Sequence, residues 1–224
     1  MNVNSISIEE SKKIKLFNRV EKKYKCTKKQ LYYLIGILKD KYYLVSDDLD
    51  GDEDFTFKYH SVYFDTSNMS MFFDHENNIS HRQKIRIREY DTGEKFLEIK
   101  DKDIDGITRK SRIPVESYEI DNEKNWIDKN LIYDTSKLIK TLDITYNRIT
   151  FISYDKSERI TIDFDIVFHN YNTDITETID DVIIEVKQSV EHLSEAEKVF
   201  EELDIQRVKF SKYHIGIKQT EKES

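Results

Sequence analysis

Residues 83–91 read QKIRIREYD, and this stretch decides the fold prediction. Lys84, Arg86 and Arg88 occupy every second position, and isoleucines stand between them. Because side chains alternate between the two faces of a strand, this spacing predicts a strand with one apolar face and one cationic face. Like charges along one face repel one another, so the row poses the question of which anion, if any, it binds.

The composition bounds the classes of protein that fit. A chain of 224 residues suits one domain, and its 14 Tyr and 12 Phe provide material for a core. The formal net charge is −8, whereas nucleic-acid-binding domains are usually basic. We therefore expect no nucleic-acid partner, and any site for a polyanion must be local.

The sequence also indicates a compartment. Cys26 is the single cysteine, so no internal disulfide forms, which fits a reducing environment. The first residues, MNVNSISIEESKK, lack the apolar core of a signal peptide. No apolar run approaches the roughly 20 residues that span a bilayer. We expect a cytoplasmic protein with no membrane segment in this chain.

Other predicted strands repeat the alternation of the opening stretch. KFLEIKDK (95–102), ERITIDFDI (158–166) and IIEVK (183–187) each place charged side chains on one face. A strand-rich chain of this kind can close into a barrel with a polar lumen and an apolar outside that helices cover. The alternative is an open sheet whose charged rows face solvent. Periodicity alone leaves both open.

Capping residues and apolar spacing predict the helices and the domain limits. Thr27 is expected to cap a helix that follows it, and Ser194 to cap a second one over SEAEKVFEEL. A third helical stretch is expected near 134–142. Residues 1–15 are expected to form a flexible tail, 16–218 a single domain and 219–224 a polar C-terminal tail.

A series of collinear motifs resembles a known family. They are NRVEKKY (18–24), SVYFDT (61–66), KIRIREY (84–90), FLEIKDK (96–102), RKSRIPV (109–115), YNRITF (146–151), RITIDFD (159–165), VIIEVK (182–187) and FSKYHIGI (210–217). In this order they resemble the VTC domain, the polyphosphate-polymerase branch of the triphosphate tunnel (CYTH-like) superfamily. No single motif is decisive, but a chance match of the whole series is improbable.

The resemblance implies an α+β fold in which an antiparallel eight-stranded β-barrel, the triphosphate tunnel, has a polar, basic lumen and flanking helices. It implies transfer of the γ-phosphate of ATP to polyphosphate, with Mn²⁺ or Mg²⁺ as cofactor. The implied phosphate-binding residues are Lys23, Arg86, Arg88, Lys100, Lys110, Tyr146, Arg148, Arg159, Lys187, Ser211 and Lys212. Of these, Arg86, Arg88, Lys100, Arg148 and Arg159 are the implied catalytic residues, and Glu185 and Glu21 the implied metal ligands.

Alternative functions remain open from the sequence. Triphosphatases of the superfamily usually open with ExExK, but Arg19 stands here at the first Glu position, which favours the polymerase branch. Hydrolysis of inorganic or nucleoside triphosphates and non-catalytic binding of polyphosphate are the alternatives. Acids in a phosphate site, such as Glu98 and Asp163, argue against simple capture of polyanions. Each of these two carboxylates either helps to hold a metal ion or pairs with a neighbouring cation.

Overall fold

The computed structural model describes residues 4–14, 19–47, 55–190 and 192–221. The strands are β1 (Ser5–Ser7), β2 (Arg19–Cys26), β3 (Tyr42–Ser46), β4 (Phe57–Thr66), β5 (Arg82–Glu89), β6 (Lys95–Lys102), β7 (Thr108–Val115), β8 (Leu138–Ser153), β9 (Glu158–Asn170), β10 (Ile175–Ile179), β11 (Val182–Ser189) and β12 (Gln206–Arg207). The α-helices are α1 (Ile8–Lys13), α2 (Lys28–Leu38), α3 (Ser70–Glu76), α4 (Lys124–Asn130), α5 (Glu195–Glu202) and α6 (Lys212–Gln219). Two short 3₁₀ helices cover Asp121–Glu123 and Thr135–Lys137.

The strands form one hydrogen-bonded sheet in the order β12-β2-β11-β9-β8-β4-β5-β6-β7. Further pairs join β10 to β9, β3 to β8 and β1 to β3. The pairing of β1 with β3 is parallel, whereas those along β2–β11–β9 and β4–β5–β6–β7 are antiparallel. The prediction of an α+β antiparallel fold with flanking helices is confirmed. Among the described strands the order ends at β12 and β7, so the hydrogen-bonded sheet is not closed.

The chain divides into two compact units, and β8 and β9 contribute to both. The first unit comprises Met1–Lys58, Tyr146–Ile166 and Ile179–Phe210; the second comprises Tyr59–Thr145, Val167–Thr178 and Ser211–Ser224. In the first unit, α2 and α5 pack on β2, β9 and β11. Its core includes Leu34 and Leu38 of α2, Phe200 of α5 and Ile162 and Ile184 of the sheet, each with at most 1% exposure.

The second unit has its own core on one face of β4, β5 and β6. Ile85 and Ile87 of β5 and Leu97 of β6 are fully buried there, together with Met71 of α3 and Ile127 of α4. The apolar half of the alternation in QKIRIREYD therefore forms the core of this unit. Among the described helices, none is long and apolar enough to cross a membrane.

Two helix caps were predicted correctly, and one predicted helix was wrong. The hydroxyls of Thr27 and Ser194 accept hydrogen bonds from the backbone N–H groups of Gln30 and Glu197. The helix expected near 134–142 is a single 3₁₀ turn, after which β8 begins at Leu138. Alternating burial from Leu142 to Asn147 fits a strand conformation for this segment, which pairs with β4.

Both ends of the chain contain ordered elements in segments that we expected to be tails. Ser5–Ser7 pairs with β3, and Ile8–Lys13 forms α1 with a capping box between Ser7 and Glu10. Thr220 is fully buried, and its hydroxyl accepts a hydrogen bond from Asn170. The expected boundary at residues 15 and 16 lies outside the described residues.

Cys26 ends β2 within the core of the first unit. Its side chain is 4% exposed and lies among the aliphatic residues that face α2 and α5. Burial, and to a smaller extent the charge of Asp181, raises the pKa of the thiol to about 12. Because the thiolate is the reactive form, this cysteine is a packing residue and not a nucleophile.

Gly216 of α6 marks a close approach in the second unit and gives a first testable prediction. A Cβ at this position would lie 2.6 Å from Leu142 Cδ2 and 2.6 Å from Phe168 Cδ1. We expect Gly216→Ala to lower the free energy of unfolding by about 1–3 kcal/mol, because the packed neighbours must move. Urea unfolding of the purified variants measures the change.

Gly36 in α2 supplies the matched control for this prediction. A Cβ built there meets no atom within 4 Å, and the residue lies inside a helix. Gly36→Ala should raise stability by about 0.5–1 kcal/mol, because alanine restricts the unfolded chain and favours the helix. Equal stability of the two variants would contradict the packing described around Gly216.

Candidate functional site

The cationic half of the alternation forms one face of the sheet in the second unit. Lys84 and Arg86 are partly exposed and Arg88 is only 9% exposed, on the face opposite the fully buried isoleucines of β5. Strand pairing extends this face, because residues directly opposite one another point the same way. Tyr63 of β4 lies opposite Arg86, and Glu98 of β6 lies on its other side.

Three lysines stand in register across this face. Lys84 of β5 pairs with Lys100 of β6, and Lys100 pairs with Lys110 of β7. Like charges directly opposite one another destabilise a sheet. A row of three lysines on neighbouring strands is therefore an arrangement that a bound polyanion would stabilise.

Glu98 organises the cations next to this row. It is 1% exposed, and its Oε2 accepts from Arg86 Nε at 2.9 Å and from Arg86 Nη2 at 2.7 Å. Lys110 forms an ion pair with the other oxygen of the same carboxylate. Burial raises the pKa of Glu98, but the charges of Arg86, Arg88 and Lys110 outweigh it and lower the pKa to about 2. The carboxylate is thus ionised at neutral pH and orients Arg86.

Glu98, Arg86 and Arg88 also shift the pKa of Lys110. Burial has the largest effect and lowers the pKa of Lys110. The charge of Glu98 raises this pKa, and the charges of Arg86 and Arg88 lower it. The resulting pKa is about 8. Its side chain remains 43% exposed. The ammonium group is therefore both accessible to an anion and able to lose its charge near neutral pH.

This pKa gives a second testable prediction. Lys110 loses its charge progressively as the pH rises through about 8, so binding of an inorganic triphosphate should weaken at higher pH, by up to about tenfold per pH unit. Lys110→Arg should remove this decline between pH 7 and 9.5, because arginine stays charged. Lys124→Arg, an exposed change on α4, is the control. An unchanged slope in Lys110→Arg would contradict the assignment.

Tyr63 belongs to the cationic face, and sequence analysis did not single it out. Its hydroxyl accepts a hydrogen bond from Arg86 Nη1 at 2.8 Å, and its ring stacks on Tyr213 with centroids 5.0 Å apart. Burial raises the pKa of this phenol, but the nearby charges of Arg86 and Arg88 outweigh it and lower the pKa. The signal was the alternation in SVYFDT, which puts this tyrosine on the same face as Ser61.

A hydrogen bond to the buried carboxylate of Asp65 holds α6 beside the cationic face of the second unit. Tyr213 donates a hydrogen bond to Asp65 Oδ2 at 2.7 Å, and Asp65 is fully buried. Ser211 caps α6 and accepts a hydrogen bond from Lys84 Nζ at 2.8 Å. Lys212 follows the cap, and its charge contributes to the lowered pKa of Tyr63. Two implied phosphate contacts, Ser211 and Lys212, thus lie beside the lysine row.

The first unit carries a second set of implied site residues on the face opposite its core. Arg148 of β8 forms a bidentate pair with Asp163 of β9, through Nε–Oδ1 at 2.6 Å and Nη2–Oδ2 at 2.8 Å. Asp163 is 2% exposed, and the guanidinium lies 5.4 Å from the ring centre of Tyr146. This fork geometry fixes the plane of Arg148.

Glu185 lies in a cluster of alternating charges on the same face of the first unit. It forms an ion pair with Lys187, and Lys23 Nζ lies 3.6 Å from Glu185 Oε2 and 3.6 Å from Glu21 Oε1. Lys23 also donates to the carbonyl of Phe210 at 2.9 Å. Burial raises the pKa of Glu185, but the charges of Lys187, Lys23 and Arg148 hold it well below its ordinary value.

Arg159 completes the implied set in the first unit. It stands opposite Lys187 in the β9–β11 pairing, and its Nη2 donates to the carbonyl of Ser11 at 2.5 Å. The structure therefore brings Lys23, Glu21, Tyr146, Arg148, Arg159, Glu185 and Lys187 to one face of the first unit. It brings Arg86, Arg88, Lys100, Lys110, Ser211 and Lys212 together in the second.

Glu21 and Glu185 are the two carboxylates that the resemblance implies as metal ligands, and carboxylate oxygens are the donors that divalent ions such as Mg²⁺ prefer. Both are within reach of Lys23, and the low pKa of Glu185 keeps it ionised. The part of the chain that the structure describes contains no group of three or more His, Cys, Asp or Glu side chains able to hold a metal. Mg²⁺ is commonly bound in this way, through one or two carboxylates, water and substrate phosphates.

Comparison with solved structures defines the class of fold. HpAC1 from Hippeastrum, a candidate adenylyl cyclase described as having a dominant triphosphatase activity, aligns with a TM-score of 0.54 and 15% identity over 90% of this chain and 96% of its own. A candidate adenylate cyclase from Bacillus halodurans aligns with a TM-score of 0.53 and 16% identity over 87% of this chain and 96% of its own. The chain shares the fold of these two proteins.

The family follows from the sequence model that the chain matches. The VTC domain model covers residues 18–221, and the chain belongs to the VTC domain family. The resemblance that the collinear motifs carry is confirmed. No curated protein sequence matches the chain significantly.

Proposed function

We propose that the protein transfers the γ-phosphate of ATP to the end of a polyphosphate chain. The observation that carries the proposal is the lysine row Lys84–Lys100–Lys110 beside the oriented Arg86. A chain of phosphates supplies repeated negative charges that remove the repulsion within this row. Membership of the VTC domain family supports the transfer reaction over simple binding.

In the proposed reaction a terminal oxygen of the polyphosphate chain attacks the γ-phosphorus of ATP. The bond from that phosphorus to the β–γ bridging oxygen breaks, ADP leaves, and the chain is one phosphate longer. The protein contributes position and charge stabilisation, because negative charge spreads over the equatorial oxygens. Within the second unit Glu98 holds the guanidinium group of Arg86 in place, and within the first unit Asp163 does the same for Arg148. We propose that Arg88, Lys100 and Arg159 also contact the reacting phosphates.

A divalent metal ion, Mn²⁺ or Mg²⁺, is the proposed cofactor. When bound, it would neutralise charge on the phosphate oxygens. Glu185 and Glu21 are the carboxylates that would hold it, and Lys23 and Lys187, which contact Glu185 in this structure, would then bind phosphate oxygens. The finer fold predictions remain proposals: the eight-stranded closure of the tunnel, a single domain over residues 16–218, and a cytoplasmic location.

A tunnel triphosphatase is the second candidate, with water in place of the polyphosphate chain as nucleophile. The dominant triphosphatase activity described for HpAC1, which has the same fold, favours it. Arg19 at the first Glu position of the ExExK pattern argues against it, because a cation replaces a metal-binding carboxylate. A module that only binds polyphosphate fits less well, since Glu98, Asp163 and Glu185 would weaken capture of an anion.

One incubation separates these functions. The protein is mixed with ATP and Mn²⁺ or Mg²⁺, and ADP, free phosphate and polyphosphate chain are measured separately. Equal yields of ADP and of phosphate incorporated into chain support the polymerase. Equal yields of ADP and free phosphate support the triphosphatase. Binding of polyphosphate without any ADP overturns both enzymatic proposals.

A further inference from the structure

Three aromatic rings lie at one end of the cationic face in the second unit. Tyr59 of β4, Tyr90 in the turn after β5 and Phe96 of β6 form this cluster, which we call the aromatic patch. The ring centres of Tyr59 and Tyr90 are 5.4 Å apart, and those of Tyr90 and Phe96 are 5.9 Å apart. Phe96 stands directly opposite Arg88 in the β5–β6 pairing, so the patch shares the face of the cations.

The patch is accessible and carries guanidinium groups. All three rings are partly exposed, unlike the fully buried aliphatic residues on the other face of β5. Arg88 lies 5.6 Å from the ring centre of Tyr59, and the exposed Arg112 lies 4.6 Å from that of Phe96. Aromatic rings and guanidinium planes are the surfaces on which proteins stack nucleobases.

The face changes character along β5 from aromatic to cationic. From Tyr90 the same face continues through Arg88 and Arg86 to Lys84. Alternate residues of a strand are about 7 Å apart, so these steps cover about 20 Å. A nucleoside triphosphate has the same polarity, with an aromatic base at one end and anionic phosphates at the other, and it fits within this length.

We propose that the aromatic patch is a nucleobase-stacking subsite, with Tyr90 and Phe96 contacting the base of a nucleoside triphosphate whose phosphates lie along Arg88 and Arg86. This inference rests on the proposed function, and it adds a direction: the base lies toward the β5–β6 turn and the γ-phosphate toward Lys84. Stacking tolerates any base, so the subsite distinguishes nucleotides from inorganic phosphates but discriminates weakly among purines.

The test compares two ligands that differ in the base and the ribose. Dissociation constants for ATP and for inorganic tripolyphosphate are measured at equal salt in EDTA, which prevents metal-dependent turnover. Phe96→Ala and Tyr90→Ala should each weaken ATP binding by about 5- to 100-fold, the range expected for a lost base–aromatic stack. Binding of tripolyphosphate should change by less than about twofold, because it has no base that could stack on these rings.

Two further variants test whether a loss of ATP binding comes from the missing ring or from a change in the fold. Phe96→Leu keeps an apolar side chain in the sheet and removes the aromatic face, so it should reproduce the selective loss for ATP. Tyr32→Ala is the control, since this tyrosine is 77% exposed on α2 in the first unit. It should leave both dissociation constants unchanged.

The outcomes distinguish this inference from the proposed function. Equal losses for ATP and tripolyphosphate would mean that the rings only support Arg88 and Arg112, and would overturn the subsite. Unchanged ATP binding in all three patch variants would overturn it as well. Selective loss of ATP binding in a protein that never forms polyphosphate chain would support the subsite and overturn the polymerase.

Discussion

Arg86→Ala is expected to weaken binding of polyphosphate by about ten- to a hundred-fold. A charge-assisted contact to phosphate in a partly buried site contributes about 1.5–3 kcal/mol, and each 1.4 kcal/mol is tenfold in affinity. Arg86 is oriented by two hydrogen bonds to Glu98 and one to Tyr63, so its donors are in place before the ligand arrives. The variant also leaves the buried Glu98 with one cationic partner fewer, which adds repulsion toward an anion. Binding assays at several salt concentrations measure the effect.

Arg109→Ala is the matched control for Arg86→Ala. Arg109 belongs to β7 of the same sheet, but it stands opposite Asp101 on the other face, and its side chain is 63% exposed. Its removal should change affinity by less than about twofold, since exposed charges are largely screened beyond about 10 Å at 0.1 M salt. If both variants lose affinity equally, the response is one of net charge, and the cationic face is not the binding site.

Glu185→Gln should reduce metal-dependent turnover by at least about a hundredfold while the protein stays folded. A bound metal supplies several kcal/mol of charge stabilisation to phosphoryl transfer, and glutamine keeps the shape of the side chain without its charge. Turnover is measured across a Mn²⁺ titration. Glu201→Gln on α5, an exposed carboxylate, is the control.

The same variant separates metal binding from simple ion pairing. In the absence of metal, Glu185 neutralises Lys187 and Lys23, so its replacement should strengthen polyphosphate binding. Loss of turnover together with tighter metal-free binding is the expected combination. Turnover that stays unchanged at every metal concentration would remove Glu185 from the metal site and leave it as a partner of the two lysines.

Alternation within single strands was the part of the fold and site that sequence could predict. Ile85 and Ile87 form core, and Arg86 lies on the other face, because a period of two residues follows from the geometry of one strand. The register between strands is not encoded in that period. The alignment of Lys84, Lys100 and Lys110 depends on turn lengths and partner strands, so the row became visible only in the fold.

Two misses have different physical causes. Residues 138–142 carry apolar spacing compatible with a helix, but the structure uses them as the start of a long strand beside β4, where tertiary pairing overrides local preference. Asp65 and Tyr213 are 148 positions apart in the chain and form a buried hydrogen bond. No local sequence pattern predicts a contact between residues so far apart in the chain.

The burial of Cys26 has a practical consequence for labelling chemistry. Its thiol is the only one in the sequence, and its pKa of about 12 leaves almost no thiolate at neutral pH. A cysteine introduced in the exposed turn between β5 and β6, for example at Thr92, would therefore react selectively with maleimide or iodoacetamide reagents. A fluorophore attached there would stand two residues from Tyr90, and its emission could report the arrival of a ligand without any background from the native protein.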